Sequence, residues 1–193
     1  MPLADQKGPD DAQLVARSLN QDIEAFGELV DRHAGAIVNL AYRMVGNRTE
    51  AEDVAQETFL AAFKALPTFR ADSKFSTWLY RIATNKCKDW LRVKRPGQGR
   101  HDVDIEETLD SHVAETRTPE GLLSQLQVAQ ELEQAIQRLP TLYREAFVLK
   151  HVEGLSYEEM EEVLGVNGDT LKMRVYKGRR QLLRDLAALN PIR

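Results

Sequence analysis

The sequence predicts an all-helical (all-α) protein built from two helical domains, and three observations support this fold class. Apolar residues recur at three- and four-residue spacing through most of the 193-residue chain. Helix-capping patterns and Pro or Gly residues divide these segments. An acidic stretch without helical periodicity, 97–118, predicts a flexible linker. We therefore place one domain at 21–96 and a smaller one at 119–188, with a tail and the start of the first helix at 1–20 and a C-terminal tail at 189–193.

Composition excludes several classes of protein. With 42% hydrophobic and 29% charged residues the chain has enough apolar material for real cores. No apolar run approaches the roughly 20 residues that cross a bilayer, and the first residues lack the features of a signal peptide. We therefore expect a cytoplasmic protein without membrane insertion. A single cysteine, Cys87, excludes an internal disulfide and a cysteine zinc site, and we expect no metal and no cofactor. Burial of Cys87 is favoured over a redox-sensing role.

The N-terminal domain opens with a helix from Asp22, whose apolar positions begin at Ile23. Thr49 with Glu52 forms a capping box that predicts a second helix, which Pro67 ends. Its inner face holds Val54, Phe59, Ala62, Phe63 and Leu66, and its outer face holds Asp53, Gln56, Glu57, Leu60 and Lys64. An acidic outer face with an exposed leucine is either simply solvated or a docking surface for a basic partner helix. Composition does not decide between these two interpretations.

The next segment holds the densest mixture of aromatic and basic residues in the chain. Ser73 or Ser76 caps a helix, which begins after a loop carrying Phe69. The predicted inner residues are Phe75, Trp78, Leu79, Ile82, Ala83 and Trp90, and the predicted outer residues are Thr77, Arg81, Thr84, Asn85, Lys88 and Arg92. Cations, amides and hydroxyls beside an aromatic suit an unpaired nucleic-acid strand better than a closed duplex.

The C-terminal domain is predicted to contain four helices. Thr118-Pro119-Glu120 supplies an N-cap, a proline at the first helical position and an acid in the first turn. Pro140 separates this helix from a second one, which runs into the turn at Glu153-Gly154.

The last two helices have the pattern of a helix-turn-helix. Ser156 with Glu159 forms a capping box, Gly165 stands just past the end of the first helix, and Asn167 is an N-cap for the second. The second helix has an apolar face of Leu171, Val175, Gly178, Leu182 and Leu186, and an opposite face of Lys172, Met173, Tyr176, Lys177, Arg180 and Arg184. A basic face of this shape suits a DNA major groove. The alternative is an ordinary helical hairpin with a solvated basic face.

Charge is unevenly distributed along the chain. The formal net charge is -4, but basic blocks at 81–100 and 172–184 flank an acidic segment. Because nearby anions oppose phosphate binding, we expect the isolated protein to bind DNA weakly and to need another protein to bring it there. A free-standing DNA-binding regulator would instead bind duplex tightly alone. We find no phosphate loop, nucleophile triad or metal cluster in the sequence, so we do not expect the protein to be an enzyme.

Four sequence motifs together resemble one protein family. They are AEDVAQETFLAAFKAL, FRADSKFSTWLYRIATNKCKDWLR, LPTLYREAFVL and EGLSYEEMEEVLG. In this order, and with a linker between the second and third, they resemble the extracytoplasmic-function (ECF) group of bacterial RNA polymerase sigma factors. The resemblance covers nearly the whole chain from about Asp22.

The resemblance implies roles for particular residues. It implies binding of core RNA polymerase, through its clamp coiled coil and flap, and of promoter DNA. The face that would dock on the clamp coiled coil is Asp53, Gln56, Glu57 and Leu60. Recognition of the minus-10 strand, with capture of a flipped base, would involve Phe69, Ser73, Arg81, Asn85 and Lys88. Contacts to the minus-35 element would come from Lys172, Met173, Arg174, Tyr176 and Lys177, assisted by Lys150, Tyr157 and Glu158.

The resemblance also implies an anti-sigma factor as partner and a chain that is a monomer when free. Some positions depart from the family's usual pattern. Glu161 replaces a small residue between the two helices of the motif, Asp169 stands where glycine is common, and Met173 stands where serine is frequent. These departures bear on the minus-35 sequence and on the strength of that contact.

Overall fold

The structure, a computed structural model, describes residues 8–94 and 122–189, and all regular structure in these two ranges is helical. This confirms the predicted all-α fold class. The helices are α1 Asp11–Leu19, α2 Ile23–Val45, α3 Arg48–Ala65, α4 Phe75–Lys94, α5 Leu122–Arg138, α6 Thr141–His151, α7 Tyr157–Leu164 and α8 Gly168–Leu189, with a short 3-10 helix at Leu66–Thr68 after α3. Helices α1–α4 form the N-terminal domain and α5–α8 the C-terminal domain. The predicted linker and the helix start at Thr118 lie outside the described residues.

Helix α1 is a separate helix rather than the start of the first predicted one. Asp10 is its N-cap and accepts a hydrogen bond from the Gln13 backbone N–H, while the Gln13 side chain accepts one from the Asp10 backbone N–H. This reciprocal pair is a capping box. Leu14 and Val15 are buried where α1 packs on α2. The chain then turns at Gln21, which has a φ of 67°.

The beginning of α3 and two of the predicted inner positions differ from expectation. Asn47, not Thr49, caps α3, because its side chain accepts the Glu50 backbone N–H at 3.1 Å. Ile23 is 75% exposed because it is the first residue of α2. Phe63 is 46% exposed, and its ring meets the ring of Phe26 edge-on with centroids 4.9 Å apart. Both apolar side chains therefore lie at the surface of the N-terminal domain.

Helix α4 begins at Phe75, so Ser76 lies inside its first turn and does not cap it. Thr77 and Thr84, predicted to face outward, are buried. The Thr84 hydroxyl donates to the Tyr80 carbonyl at 2.9 Å, which satisfies this polar group without solvent. Cys87 is fully buried, and burial raises the pKa of its thiol to about 12. The interpretation of Cys87 as a packing residue is the one that fits this environment.

The helix-turn-helix forms as its capping signals predict. The Ser156 hydroxyl accepts the Glu159 N–H, and the Glu159 carboxylate accepts the Ser156 N–H. Gly165 ends α7 in the left-handed region with a φ of 67°. The Asn167 side chain accepts the Thr170 N–H at 2.9 Å and so caps α8. Gly178 lets α8 approach α6, since a Cβ at this position would lie 3.2 Å from the Tyr143 carbonyl oxygen.

The two domains pack against each other through helices on both sides. Helix α7 lies on α4, while α5 and α6 lie on α2. The Arg144 guanidinium, in a residue only 4% exposed, donates to the Met44 carbonyl of α2 at 2.6 Å and to the Leu139 carbonyl at 2.8 Å. Arg43 of α2 pairs with Glu133 of α5 at 2.8 Å. The Arg144 guanidinium of the C-terminal domain thus satisfies a backbone carbonyl group in the last turn of α2, which has no partner within the helix.

Candidate nucleic-acid interface

The outer face of α3 carries the four residues predicted to dock on polymerase. Asp53, Gln56, Glu57 and Leu60 are all exposed, and they share one side of the helix, because Gln56 and Glu57 each lie three or four residues from both Asp53 and Leu60. Leu60 is 62% exposed. The Glu57 carboxylate lies 3.3 Å from the Lys86 ammonium of α4 and stays largely in solvent. The structure therefore brings these residues together as one acidic stripe with an apolar side chain, Leu60, at its C-terminal end.

Sequence reasoning missed a groove that continues this stripe. Phe63 lies one turn beyond Leu60 and, with Leu19 and Ile23, lines a groove of about 460 Å³ between α1 and the end of α3. Ser18, Gln21, Leu66 and Pro67 complete its lining. Residues of α1 form one wall of the groove. The Asp10 and Gln13 capping box that begins α1 was the sequence signal that could have predicted this helix and therefore the groove. Its apolar side chains extend the exposed surface of α3 toward α1.

The residues predicted to bind the minus-10 strand fall into two groups. Arg81 and Asn85 are exposed and lie one turn apart on α4. Phe69 is half-buried in an aromatic cluster, with its ring centroid 5.2 Å from that of Trp78 and 6.0 Å from that of Phe75. Ser73 is half-buried in the loop before α4.

Lys88 lies one turn after Asn85 on α4 and faces an acidic partner from α6. Its ammonium lies 3.3 Å from the Glu145 carboxylate of α6, and Glu145 is 2% exposed.

On α8, the residues predicted to read the minus-35 element form an exposed surface at the start of the helix. Lys172, Met173 and Tyr176 are exposed. The Lys172 ammonium lies 3.0 Å from the Asp169 carboxylate, and this hydrogen bond raises the pKa of Lys172. Lys177 is half-buried, with its ammonium 5.9 Å from the centroid of the Tyr143 ring. Asp169 therefore offsets one of the cations on this surface.

The remaining predicted minus-35 residues also hold the motif together. The Lys150 ammonium donates to the Leu155 carbonyl at 2.9 Å and lies 4.7 Å from the centroid of the Tyr157 ring. Glu158 is exposed in the first turn of α7, where backbone N–H and Ser156 hydrogen bonds lower the pKa of its carboxyl. Arg174 points to Glu145, with 3.6 Å between guanidinium nitrogen and carboxylate oxygen. Lys150 and Tyr157 thus fix the turn between α6 and α7.

Within 8–94 and 122–189, no three His, Cys, Asp or Glu side chains cluster in a way that would hold a metal ion. None of the helices described there combines the length and the apolar character needed to cross a membrane.

Both halves of the chain match known families. Residues 29–96 match Sigma-70 region 2, and residues 129–182 match Sigma-70, region 4. The ECF RNA polymerase sigma factor SigW of Bacillus subtilis (strain 168) is 40% identical over 173 residues, which cover 86% of this chain and 92% of SigW. The chain belongs to the ECF RNA polymerase sigma factors. It is an alternative sigma factor, and a free-standing regulator is not favoured, because region 2 matches as well as the helix-turn-helix region.

Solved structures agree with this assignment of the sigma factor. CnrH, in complex with the cytosolic domain of CnrY, aligns with a TM-score of 0.69 and 30% identity, over 92% of this chain and 97% of CnrH. The sigma factor RpoE of Bartonella quintana, in complex with the anti-sigma factor NepR, aligns with a TM-score of 0.63 and 24% identity, over 83% of this chain and 96% of RpoE. The second likeness shows the shared fold.

Proposed function

We propose that this sigma factor docks on core RNA polymerase through the acidic stripe of α3 and directs it to promoters through α4 and α8. The observation that supports the docking face is Leu60, a large apolar side chain exposed one turn after Gln56 and Glu57 on a helix whose other side is core. An exposed apolar side chain next to carboxylates is complementary to a basic, amphipathic helix. The clamp coiled coil of core polymerase is the partner that the family resemblance implies.

A charge reversal tests this face directly. Glu57→Arg places a cation where a basic partner helix would approach, so we expect its affinity for core polymerase to fall about tenfold or more. Asp31→Arg is the matched control, because Asp31 is exposed on α2, away from the stripe, and the change in net charge is identical. Affinity is measured by fluorescence anisotropy of labelled chain titrated with core enzyme. Equal affinity of the two variants would show that the α3 stripe is not the docking face.

The minus-10 strand is proposed to bind along α4, beside the loop that carries Phe69 and Ser73. Exposed Arg81 provides a cation for phosphate, and exposed Asn85 provides an amide that can read a base edge. Capture of an extruded base would offset the few kcal/mol lost in unstacking and unpairing.

Asn85→Ala tests the minus-10 assignment without touching the docking face. We expect normal binding to core polymerase and weaker strand opening, measured by permanganate footprinting of a promoter fragment. Thr141→Ala, on α6, is a control that changes a polar side chain outside the proposed site. Undiminished opening by the Asn85 variant would remove Asn85 from the site.

We propose that the start of α8 lies in the major groove of the minus-35 element. Lys172, Met173 and Tyr176 are exposed there, and Lys177 follows one turn later. The Asp169 carboxylate beside Lys172 opposes phosphate binding at this end.

Run-off transcription over genomic fragments with core enzyme would identify the promoter. Lys177→Ala should then weaken transcription more from promoters that contain the minus-35 sequence than from templates that lack it.

An anti-sigma factor is proposed as the regulatory partner. The support is CnrH, which is 30% identical and was solved in complex with the cytosolic domain of another protein, CnrY. The exposed apolar side chains along α3 and α1 offer a surface for such a partner. A protein that co-purifies with the chain and is displaced by core polymerase would meet this expectation. Simultaneous binding of both would argue against a shared surface.

A further inference from the structure

Helix α8 begins with a carboxylate on the side that is proposed to enter the major groove. Asp169 is the second residue of the helix, and it lies three and four residues before Lys172 and Met173, so the three share one side. The Asp169 side chain is 93% exposed and that of Lys172 is 59% exposed. In a helix-turn-helix, side chains near the start of the second helix contact base edges. Asp169 therefore lies where a base edge would approach.

The Asp169 carboxylate is one half of a donor–acceptor pair. The Lys172 ammonium donates to Asp169 Oδ1 at 3.0 Å. Both residues lie in the first turns of α8, whose start is fixed by the Asn167 side chain, which accepts the Thr170 backbone N–H at 2.9 Å. The start of α8 thus presents an anionic acceptor and a cationic donor side by side on a capped helix.

Negative charge at this end of the helix disfavours phosphate. The hydrogen bond to Asp169 raises the pKa of Lys172, and the charge of exposed Glu158 on α7 adds to that rise. One cation therefore lies close to two carboxylates, and the group of three is net negative. A phosphate gains little from such a group, whereas a base edge that offers a donor and an acceptor satisfies both halves of the pair.

In the major groove, a C·G pair matches this donor–acceptor pair best. Cytosine presents the N4 amino donor with no acceptor beside it, and its guanine presents the O6 and N7 acceptors. N4 and O6 are hydrogen-bonded to each other about 2.9 Å apart. The separation of Lys172 Nζ and Asp169 Oδ1, 3.0 Å, is close to this spacing. An A·T pair instead places the adenine N7 acceptor beside the amino group, where it repels a carboxylate, and the thymine methyl group beside O4.

From this match we propose that Asp169 and Lys172 together read one C·G pair of the minus-35 element, with Asp169 accepting from cytosine N4 and Lys172 donating to guanine O6 and N7. This inference rests on the proposed function of α8. Asp169 is then a specificity-determining residue, because its carboxylate penalises the other base pairs by repulsion. It lowers affinity for DNA in general while it raises discrimination, since it offsets the cation beside it.

A duplex library randomised across the minus-35 region tests this assignment. The chain with core polymerase selects from the library, the chain alone at low salt selects in parallel, and the bound fractions are sequenced. The parent should enrich cytosine at one position, and Asp169→Ala should lower that enrichment about tenfold while the other positions keep their preferences. Asp31→Ala is the control, because it makes the same change in charge on the exposed side of α2 and should leave every preference unchanged.

Affinity for a promoter with another base at that position should change in the opposite direction. There Asp169→Ala should bind more tightly than the parent, by fluorescence anisotropy, because Lys172 becomes available to a phosphate. The salt slope should be steeper by about 0.9 for this added contact. Loss of a residue that only stabilises α8 would instead weaken binding to every sequence.

A charge reversal separates base reading from a structural role of Asp169. Asp169→Arg should select G·C in place of C·G at the same position, since arginine donates to guanine O6 and N7. An acid in the first turn also stabilises a helix, but a destabilised α8 lowers all preferences together and does not exchange one base pair for another. Far-ultraviolet circular dichroism at the assay temperature measures how much of the helix content each variant keeps.

The outcomes separate this inference from the proposed function. One base profile for the parent, Asp169→Ala and Asp169→Arg would overturn the reading of a C·G pair, as would a parent that enriches no cytosine in either selection. Both results leave association with core polymerase and promoter-dependent transcription intact. A chain that never associates with core polymerase would refute the proposed function, while an Asp169-dependent cytosine in the selection by the chain alone would still support the inference.

Discussion

Arg144→Met removes the guanidinium that joins the two domains while keeping a long, unbranched side chain in its place. The guanidinium donates to the carbonyl groups of Met44, Gln137 and Leu139, and Arg144 is almost wholly buried. Each buried carbonyl left without a donor costs about 1–3 kcal/mol. Met44 and Leu139 are buried, whereas Gln137 is half-buried. Taking the lower end of that range for the two buried groups, the free energy of unfolding should fall by about 2 kcal/mol. For a chain of this size that corresponds to a melting temperature lower by roughly 4–8 °C.

The measurement is urea denaturation followed by far-ultraviolet circular dichroism, with thermal melts as a second readout. Arg138→Met is the matched control, because Arg138 is exposed in the last turn of α5 and its loss should cost less than about 1 kcal/mol. The Arg144 variant should also show a larger radius of gyration, since the Met44 carbonyl belongs to the other domain. A loss of stability no greater than that of the control would refute the assignment of Arg144 as the polar link between the domains.

Three further predictions concern packing, reactivity and pH. Gly178→Leu should lower the free energy of unfolding by about 1–3 kcal/mol, because the added side chain meets the Tyr143 backbone, whereas Gly35→Ala, with no atom within 4 Å, should raise it by about 0.5–1 kcal/mol in the same denaturant titration. The Cys87 thiol, buried and with its pKa raised to about 12, should react with a thiol reagent at mildly alkaline pH only as fast as the chain unfolds, and rapid labelling in native buffer would contradict this. Lys74, by its hydrogen bond, lowers the pKa of the Glu159 carboxyl. The stability that Lys74→Gln removes should therefore be fully present at neutral pH, and it should be lost as the pH falls from the ordinary value of 4.5 through the lowered pKa of the folded carboxyl. A difference between parent and Lys74→Gln that persists in acid would contradict the ion pair as its source.

Capping signals were predictable from sequence because their partners lie within one turn. The Ser156 and Glu159 pair, Gly165 and the Asn167 cap all lie where their spacing indicates. The same rule explains two errors. Asn47 and Thr49 lie two residues apart and are both residue types that cap helices, and Asn47 is the N-cap of α3 in the structure. The capping box of α1 uses Asp10 and Gln13, a variant of the Ser and Glu pattern, and this helix was assigned to a tail.

Faces of helices were predictable only where one neighbour covers them. The outer stripe of α3, with Glu57 and Leu60, is exposed as periodicity indicates. Phe63 lies within the predicted apolar arc, but no helix covers it fully, so it remains at the surface. Thr77 and Thr84 show the opposite error, because a second layer, α7, lies over the polar side of α4. Periodicity reports which residues share a side, not how many sides are covered.

The amino-acid sequence by itself determined the helices from Asp22 onward, their order and the family, because hydrogen-bonding caps and apolar spacing act over a few residues. The tertiary structure alone decided which polar residues face each other. Arg144 donates to the Met44 carbonyl 100 residues away, and Glu145 lies between cations of the two domains. Such pairs carry no local signal, since a buried charge is stable only where distant helices bring its partners within reach.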